Sequence, residues 1–311
     1  MITPMPSLAK AIAARPRKQA TRQLTERLIE FVLFLCAFSC VAVTVAIMVI
    51  LGTEAIGLFK TVSVLDFLTG TEWTPLFEPA KYGVLPLVTG TLTTTLVALF
   101  IAIPMGTTIA LFLSEFASPR TRVWVKPILE LLAGIPTVVY GYFALLLVTP
   151  LLQLLLPNLG GFNMLAAGLV MGIMIVPQIS SMSEDAMRSV PAELREGSYA
   201  AGATRLQTAW KVVFPAAFSG VSSSYVLGIS RAVGETMIVA IAAGLQPTIS
   251  FNPMDSAATM TAYIVQVSLG DLPHGSVGYQ TIFAVGLLLV LMTLVLNVIG
   301  YALKRRYRET Y

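Results

Sequence analysis

Long apolar stretches, separated by shorter polar segments, run along most of the chain. A helix needs about 20 mostly apolar residues to cross the hydrocarbon core of a bilayer. Six stretches reach that length and predict six transmembrane helices. Their approximate bounds are Leu28–Leu51, Leu85–Leu113, Ile128–Leu156, Met164–Met182, Ala216–Gly244 and Tyr279–Leu303.

The composition narrows the class of protein. Hydrophobic residues make up 56% of the 311 residues and charged residues only 12%, and the mean hydropathy is +0.81. A typical soluble domain is about 45–50% apolar and about 25% charged. The chain has too little charge to cover a soluble surface, which argues against a soluble enzyme and a disordered chain. We predict an all-α, polytopic membrane protein with six transmembrane helices.

The positions of lysine and arginine predict the orientation. Of the 20 such residues, 17 lie in the tail 1–27, in the loops after the second and fourth predicted helices, or in the tail 304–311. Cytoplasmic loops are enriched in these residues. Both termini are therefore expected in the cytoplasm, with the first helix, 28–51, as a retained anchor. This placement accounts for the net charge of +4, and no nucleic-acid partner is expected.

The polar segments divide the rest of the chain. Residues 52–84 are expected to form a periplasmic segment, and residues 85–303 a core of five helices. Within the core, residues 183–215 predict a cytoplasmic helix–turn–helix. Pro191 suits the start of a helix and Gly202 allows a sharp turn. Such an element can fit a groove on a partner protein.

Two charged residues interrupt the fifth apolar stretch. Arg231 lies near its middle, and Glu235 follows four residues later. A charge at the bilayer centre costs about 2.5–3.5 kcal/mol on insertion scales, so such a residue should face the interior of the bundle. On one helix, the two side chains share a face and can pair. Gly228 and Ser224 extend this face as a small, polar stripe, which can line a path or let another helix approach closely.

The chemistry of Arg231 indicates an anion site. A guanidinium presents two-pronged donors that match the oxygens of a phosphate group. Glu235 would hold Arg231 in position while the site is empty or, when protonated, donate to an oxyanion. A buried structural ion pair between helices is the alternative explanation of the two charges.

The cytoplasmic loop resembles the EAA loop of importer-type ABC permeases. That pattern has a Glu, two small residues and a Gly, and ends in an apolar residue and Pro at fixed spacing. The matching residues here are Glu196, Gly197, Ser198, Gly202 and Pro215, with Gly197 and Ser198 in place of the usual alanines. The resemblance implies docking on a separate ATP-hydrolysing subunit. In agreement, the chain has no G-x-x-x-x-G-K-[ST] phosphate loop.

Further segments resemble phosphate ABC transporter permeases, in particular the PstC type. These segments are "FLTGTEWTP", "LSEFASPR", "LLAGIPTVVYG" and "GISRAVGETM", in the family's order. The resemblance implies an importer permease in a bacterial inner membrane, with Arg231 and Glu235 on the substrate path. It also implies inorganic phosphate as substrate. The implied partners are a second, PstA-like permease subunit, a pair of ATPase subunits and an external phosphate-binding protein.

Other classes of function fit the sequence less well. An intramembrane enzyme needs a nucleophile–base set or a metal cluster. The chain has one histidine, His274, outside the predicted spans, and neither H-E-x-x-H nor G-x-S-x-G. No cofactor or metal is expected.

A stand-alone channel does not need the docking pattern. A permease for another oxyanion, such as sulfate or molybdate, stays open because Arg231 would serve any of them.

Overall fold

The computed structural model describes residues 15–270, 272–273 and 275–306. Much of the basic tail 1–27, together with His274, therefore lies outside the described residues. The chain divides after Thr53 into two units. Where it is described, the first unit is a single helix, and its large apolar side chains between Leu28 and Ile50 are exposed.

Helix α1 covers Arg15–Phe59 and is longer than the predicted bounds of 28–51. No proline lies between residues 17 and 59, so nothing in the polar flanks interrupts the backbone hydrogen bonds of the helix. The hydrophobic pattern predicted the apolar centre of this helix and not its ends.

The second unit is built from helices, and its described residues contain one isolated β-bridge, between Trp73 and Tyr82. The helices are α2 Val64–Thr69, α3 Leu85–Leu111, α4 Pro119–Gly134, α5 Thr137–Phe143, α6 Thr149–Leu155, α7 Met164–Arg188, α8 Ala192–Ala200, α9 Arg205–Thr208, α10 Phe214–Ala216, α11 Phe218–Val233, α12 Met237–Ala242, α13 Met260–Ser268 and α14 Val277–Arg306. Short π-helical segments extend α3, join α5 to α6, and join α9 to α10.

Within the described residues, five helical segments are long and apolar enough to cross a membrane. These are α1, α3 with its π-helical end, α5 to α6, α7 and α14. A sixth is obtained if the pair Arg205–Ala216 and Phe218–Val233, bent by 74°, counts as one span. The all-helical, polytopic fold is confirmed, with five or six spans.

Two of the predicted spans are interrupted by breaks in the helix. The third, 128–156, breaks at Ile135 and Pro136, where Ile135 takes an extended conformation with ψ of 130°. A residue before proline is pushed out of the helical region, so α4 is a separate helix and the apolar span starts at Thr137. The fifth, 216–244, bends after Ala216 and ends at Val233, and the short α12 follows.

Small residues bring α3, α7 and α11 into close contact. A Cβ placed on Gly172 of α7 would lie 2.7 Å from the carbonyl oxygen of Ala98 on α3. Gly168 faces Val97 and Gly106 faces Ile179, so α3 and α7 run in the same direction. Helices in a bilayer associate through this kind of close packing rather than through the hydrophobic effect.

Aromatic residues join the segment before α3 to α13. The buried ring of Trp73 makes edge contacts with Phe67 at 6.1 Å and with Tyr263 at 5.0 Å between ring centroids. The Tyr263 hydroxyl lies 2.6 Å from Thr281 Oγ1 of α14. The polar segment after α1 is thus part of a small apolar core at the start of α3 and α14.

We expect Gly172→Ala to destabilise the bundle because its methyl group meets the Ala98 backbone, which cannot rotate away. Overpacking of this kind costs about 1–3 kcal/mol. The measurement is the thermal unfolding midpoint of the purified protein in detergent. Gly134→Ala is the matched control, since a Cβ there meets nothing within 4 Å. Equal midpoints for the two variants would contradict the close approach of α3 and α7.

Candidate functional site

Arg231 of α11 lines a cavity of about 320 Å³ between α4, α7 and α11. Its Nη1 atom donates a hydrogen bond to Gln178 Oε1 at 3.2 Å. A guanidinium carries five N–H donors. One hydrogen bond to a neutral amide therefore orients Arg231 but does not compensate its positive charge. The polar side chains around the cavity are Lys126, Glu130, Gln178, Ser181, Glu184 and Arg231.

A cluster of ion pairs centred on Glu184 borders the same cavity. The Glu184 side chain is completely buried in α7 and accepts three basic partners. The N···O distances to Glu184 are 2.8 Å for Lys126, 3.2 Å for Arg122 and 3.8 Å for Arg188. The hydrogen bond to Glu184 raises the pKa of Lys126 above its usual value. Lys126 therefore stays charged at neutral pH and ties α4 to α7.

Glu235 lies beyond the end of α11 and makes no ion pair with Arg231 in the part of the chain that the structure describes. Its Oε1 atom accepts hydrogen bonds from the backbone N–H groups of Met237 at 3.1 Å and Ile238 at 3.3 Å. The expected pair on one helix face is therefore not formed, because the helix ends at Val233. The carboxylate instead satisfies free N–H groups at the start of α12.

Ser224 and Gly228 lie where α11 packs on α7. Ser224 Oγ is 2.7 Å from Ser183 Oγ, and the Ser224 side chain is fully buried. A Cβ on Gly228 would come within 3.0 Å of the Ile179 side chain. Of the two roles that the small, polar stripe allowed, the structure thus displays the close approach of another helix.

The predicted helix–turn–helix is present as α8, a turn and α9. Gly202 has a φ of +84°, a conformation that favours glycine, and ends the first helix. Thr204 and Gln207 form a reciprocal cap at the start of α9. Ser198 Oγ lies 2.8 Å from Thr208 Oγ1, which holds the two arms together. Glu196, Gly197, Gly202 and Pro215 are exposed on this element.

One arginine fastens α8 to the end of α3. Arg195 donates to both oxygens of Glu115, the shortest bond being Nη2 to Oε1 at 2.9 Å. It also donates to the carbonyl oxygens of Val190 at 2.6 Å and Met187 at 2.8 Å. A movement of α8 would therefore be passed to α3 and to the end of α7.

A family model for the inner membrane component of binding-protein-dependent transport systems matches residues 102–309. The chain belongs to this permease family. A probable ABC transporter permease protein, YqgH, of Bacillus subtilis is 39% identical over 263 residues, covering 84% of this chain and 85% of the relative. The phosphate transport system permease protein PstC 1 of Mycobacterium tuberculosis is 34% identical, covering 83% of this chain and 86% of the relative.

Solved structures of ABC importers share the fold of this permease. A chain of a bacterial ABC transporter involved in the import of alginate superposes with a TM-score of 0.61 at 18% identity, covering 94% of this chain and 100% of that one. A chain of the MetNI methionine transporter in an inward-facing conformation gives 0.53 at 20% identity, covering 73% and 95%. These likenesses confirm the importer permease fold.

Sequence reasoning missed part of the cavity. Gln178 and Ser181 follow Pro177, where the sequence allowed either a contact with the substrate on its exit or simply a polar helix end. Lys126 entered only as one of many basic residues that set the orientation. Its position beside Glu184 depends on a contact between α4 and α7 across 58 residues of chain, which no local pattern displays.

We expect Glu235→Gln to keep the fold at the start of α12, because the amide oxygen of glutamine can accept the same two N–H groups. Glu235→Ala removes the acceptor and costs about 0.5–2 kcal/mol, as loss of a helix cap does. The thermal unfolding midpoint distinguishes the variants. If Gln and Ala lower it equally, the carboxylate charge and not the capping bond matters.

Arg195→Ala should loosen α8. Each hydrogen bond to a charged group contributes about 1.5–3 kcal/mol, so losing several should speed amide exchange in residues 192–200 by roughly tenfold or more. Hydrogen–deuterium exchange measured by mass spectrometry gives the rates. Arg188→Ala serves as control, since Arg188 is half-exposed and pairs only at 3.8 Å. Unchanged exchange in the Arg195 variant would mean that α8 is held by other contacts.

Proposed function

We propose that this permease is one of two membrane subunits of an ATP-driven importer of inorganic phosphate, and that Arg231 contacts the phosphate. The observation that carries the proposal is the Arg231 guanidinium, oriented by Gln178 in a cavity between α4, α7 and α11. Relatives of the PstC type, named as phosphate transport permeases, support phosphate as the substrate.

The cavity suits a multiply charged oxyanion. A guanidinium binds two phosphate oxygens at once through a planar pair of donors. Gln178 and Ser181 add neutral donors on α7. In this proposal, Glu235 does not contact the phosphate. It accepts hydrogen bonds from the backbone at the start of α12 and so fixes that helix next to the end of α11, which carries Arg231. The assignment of Ser224 and Gly228 to the path stays a prediction.

The exposed element formed by α8, the Gly202 turn and α9 is the proposed docking surface for ATPase subunits. Glu196, Gly197 and Ser198 lie on α8, and Pro215 lies where the element returns to the bundle. ATP-driven closure of two ATPase subunits would pull α8, and the Arg195–Glu115 contact would pass that pull to α3. This motion would switch the core between outward- and inward-facing states.

The remaining parts of the importer follow from the same proposal. Residues 1–27 and 304–311 are cytoplasmic tails in a bacterial inner membrane, and residues 28–51 anchor the chain. Residues 52–84 lie in the periplasm, where a phosphate-binding protein delivers the substrate. A second, PstA-like permease subunit completes the path with the core 85–303.

Arg231→Ala should reduce uptake of labelled phosphate at low external concentration by at least about tenfold, since a lost hydrogen bond to a charged group contributes about 1.5–3 kcal/mol. Arg231→Lys should retain part of the rate because it keeps the charge but not the two-pronged geometry. Uptake is measured in cells that lack other phosphate importers, with membrane levels of each variant matched.

Sulfate uptake in the same cells is the control for the alternative substrate. Loss of phosphate uptake with unchanged sulfate uptake supports both the substrate and the residue. Normal phosphate uptake in Arg231→Ala would reduce Arg231 to a structural charge. If deletion of the whole chain also left phosphate uptake normal and removed sulfate or molybdate uptake, the importer would serve that other oxyanion.

A further inference from the structure

Two cationic side chains border the Arg231 cavity at different levels of α7. Arg231 is bonded to Gln178, and Lys126 is bonded to Glu184. The two α7 residues are six positions apart, which is about 9 Å along a helix. Ser181 lies midway between them and lines the same cavity. An anion that leaves Arg231 along this face of α7 meets a hydroxyl and then an ammonium group.

The surroundings of Glu184 allow Lys126 to change partners. A buried carboxylate that loses its only partner is strongly destabilised. Glu184 has Arg122 and Arg188 within 4 Å in addition to Lys126. Its charge therefore stays compensated when Lys126 turns away. Arg122 also donates to the carbonyl of Leu113 at 2.5 Å, which fixes it in place.

Lys126 is also the member of the cluster that reaches the cavity. Neither Arg122 nor Arg188 lines it, and the Arg188 side chain is half-exposed. Three acidic groups face this region: Glu184, the exposed Asp185 at 3.4 Å from Lys126, and the exposed Glu130. With Arg231 included, four basic side chains stand against these three carboxylates, so the region keeps a positive balance.

We propose that Lys126 is a second oxyanion contact on the path, which takes the phosphate from Arg231 and exchanges Glu184 Oε2 for a phosphate oxygen. The cavity of about 320 Å³ has room for the ion and for water, since a water molecule occupies about 30 Å³ of liquid. This inference rests on the proposed function, because Arg231 is the first contact. It adds a release step, in which Glu184 recaptures Lys126 and the anion leaves.

The test compares Lys126→Gln with Arg188→Gln in the complete importer, by uptake of labelled phosphate over a range of external concentrations. Both variants remove one partner of Glu184, but only the first removes a charge from the cavity. We expect the maximal rate of Lys126→Gln to fall by about tenfold, the factor that follows from losing one hydrogen bond to a charged group. Arg188→Gln should retain a much higher rate than Lys126→Gln, because Arg122 and Lys126 still compensate Glu184 and both cations of the cavity remain.

The kinetic pattern separates a slowed release from a loss of folded protein. Slower release lowers the maximal rate and the apparent KM together, whereas fewer working importers lower the maximal rate at constant KM. Rates are divided by the membrane level of each variant. Equal kinetics for Lys126→Gln and Arg188→Gln, or a fall in rate at constant KM, would overturn the proposal.

A second variant covers the case in which Lys126→Gln does not accumulate. The double variant Lys126→Gln with Glu184→Gln avoids the unbalanced carboxylate and can form a neutral hydrogen bond. If Lys126 only supports the structure, the double variant should recover transport. If Lys126 binds the anion, the double variant stays slow, and Glu184→Gln alone, which keeps the cation, is faster than the double variant.

Arg231→Ala is measured in parallel to separate the two proposals. Normal uptake in Arg231→Ala would remove the first contact and with it the proposed phosphate path. Inactive Arg231→Ala together with normal Lys126→Gln would leave that path intact and reject only the second contact.

Discussion

The cost of a charged side chain among membrane helices dominates the arrangement of this permease around Arg231. An unpaired charge in hydrocarbon is expensive, so Arg231 faces a cavity that several polar side chains border and donates a hydrogen bond to an amide on the neighbouring helix. The helix that carries it ends only two residues later, at Val233. The break leaves backbone N–H groups without helical partners. Two of these groups donate hydrogen bonds to the Glu235 carboxylate, which is why the break is tolerated.

Close packing of α3, α7 and α11 connects this cavity to the exposed helix pair. Glycines at the contacts leave little room for one helix to slide without the others, as the 2.7 Å approach at Gly172 illustrates. Arg195 of α8 bonds to Glu115 at the end of α3 and to the Met187 carbonyl on α7. Helix α7 also carries Gln178, which contacts Arg231, and Glu184, which contacts Lys126. A displacement at α8 would therefore reach both cations of the cavity through the single helix α7.

Hydrophobic runs located the apolar spans because a bilayer requires about 20 apolar residues of each, but they did not give the ends of the first, third and fifth. The sharp turn expected at Gly202 is also present, and its positive φ favours glycine at that position. The bend expected at Gly134 and Pro136 is a complete break, whereas the break at Gly234 was missed because hydropathy averages over single residues while the backbone responds to each one. Lys126 was missed as a site residue for another reason: its role depends on which helices meet, and no local pattern in the chain records a contact between α4 and α7.

The separation of Arg231 from Glu235 bears on how the site attracts an anion. Had the two formed a pair, an incoming oxyanion would have had to displace a carboxylate, and a broken buried pair leaves a costly unpaired charge. The observed partner of Arg231 is the neutral Gln178, so no carboxylate compensates the positive charge of the guanidinium at this contact. Of the two carboxylates that border the cavity, Glu130 is exposed and the buried Glu184 is shared among three basic groups. A phosphate entering the cavity therefore gains contacts at Arg231 without first breaking an ion pair there.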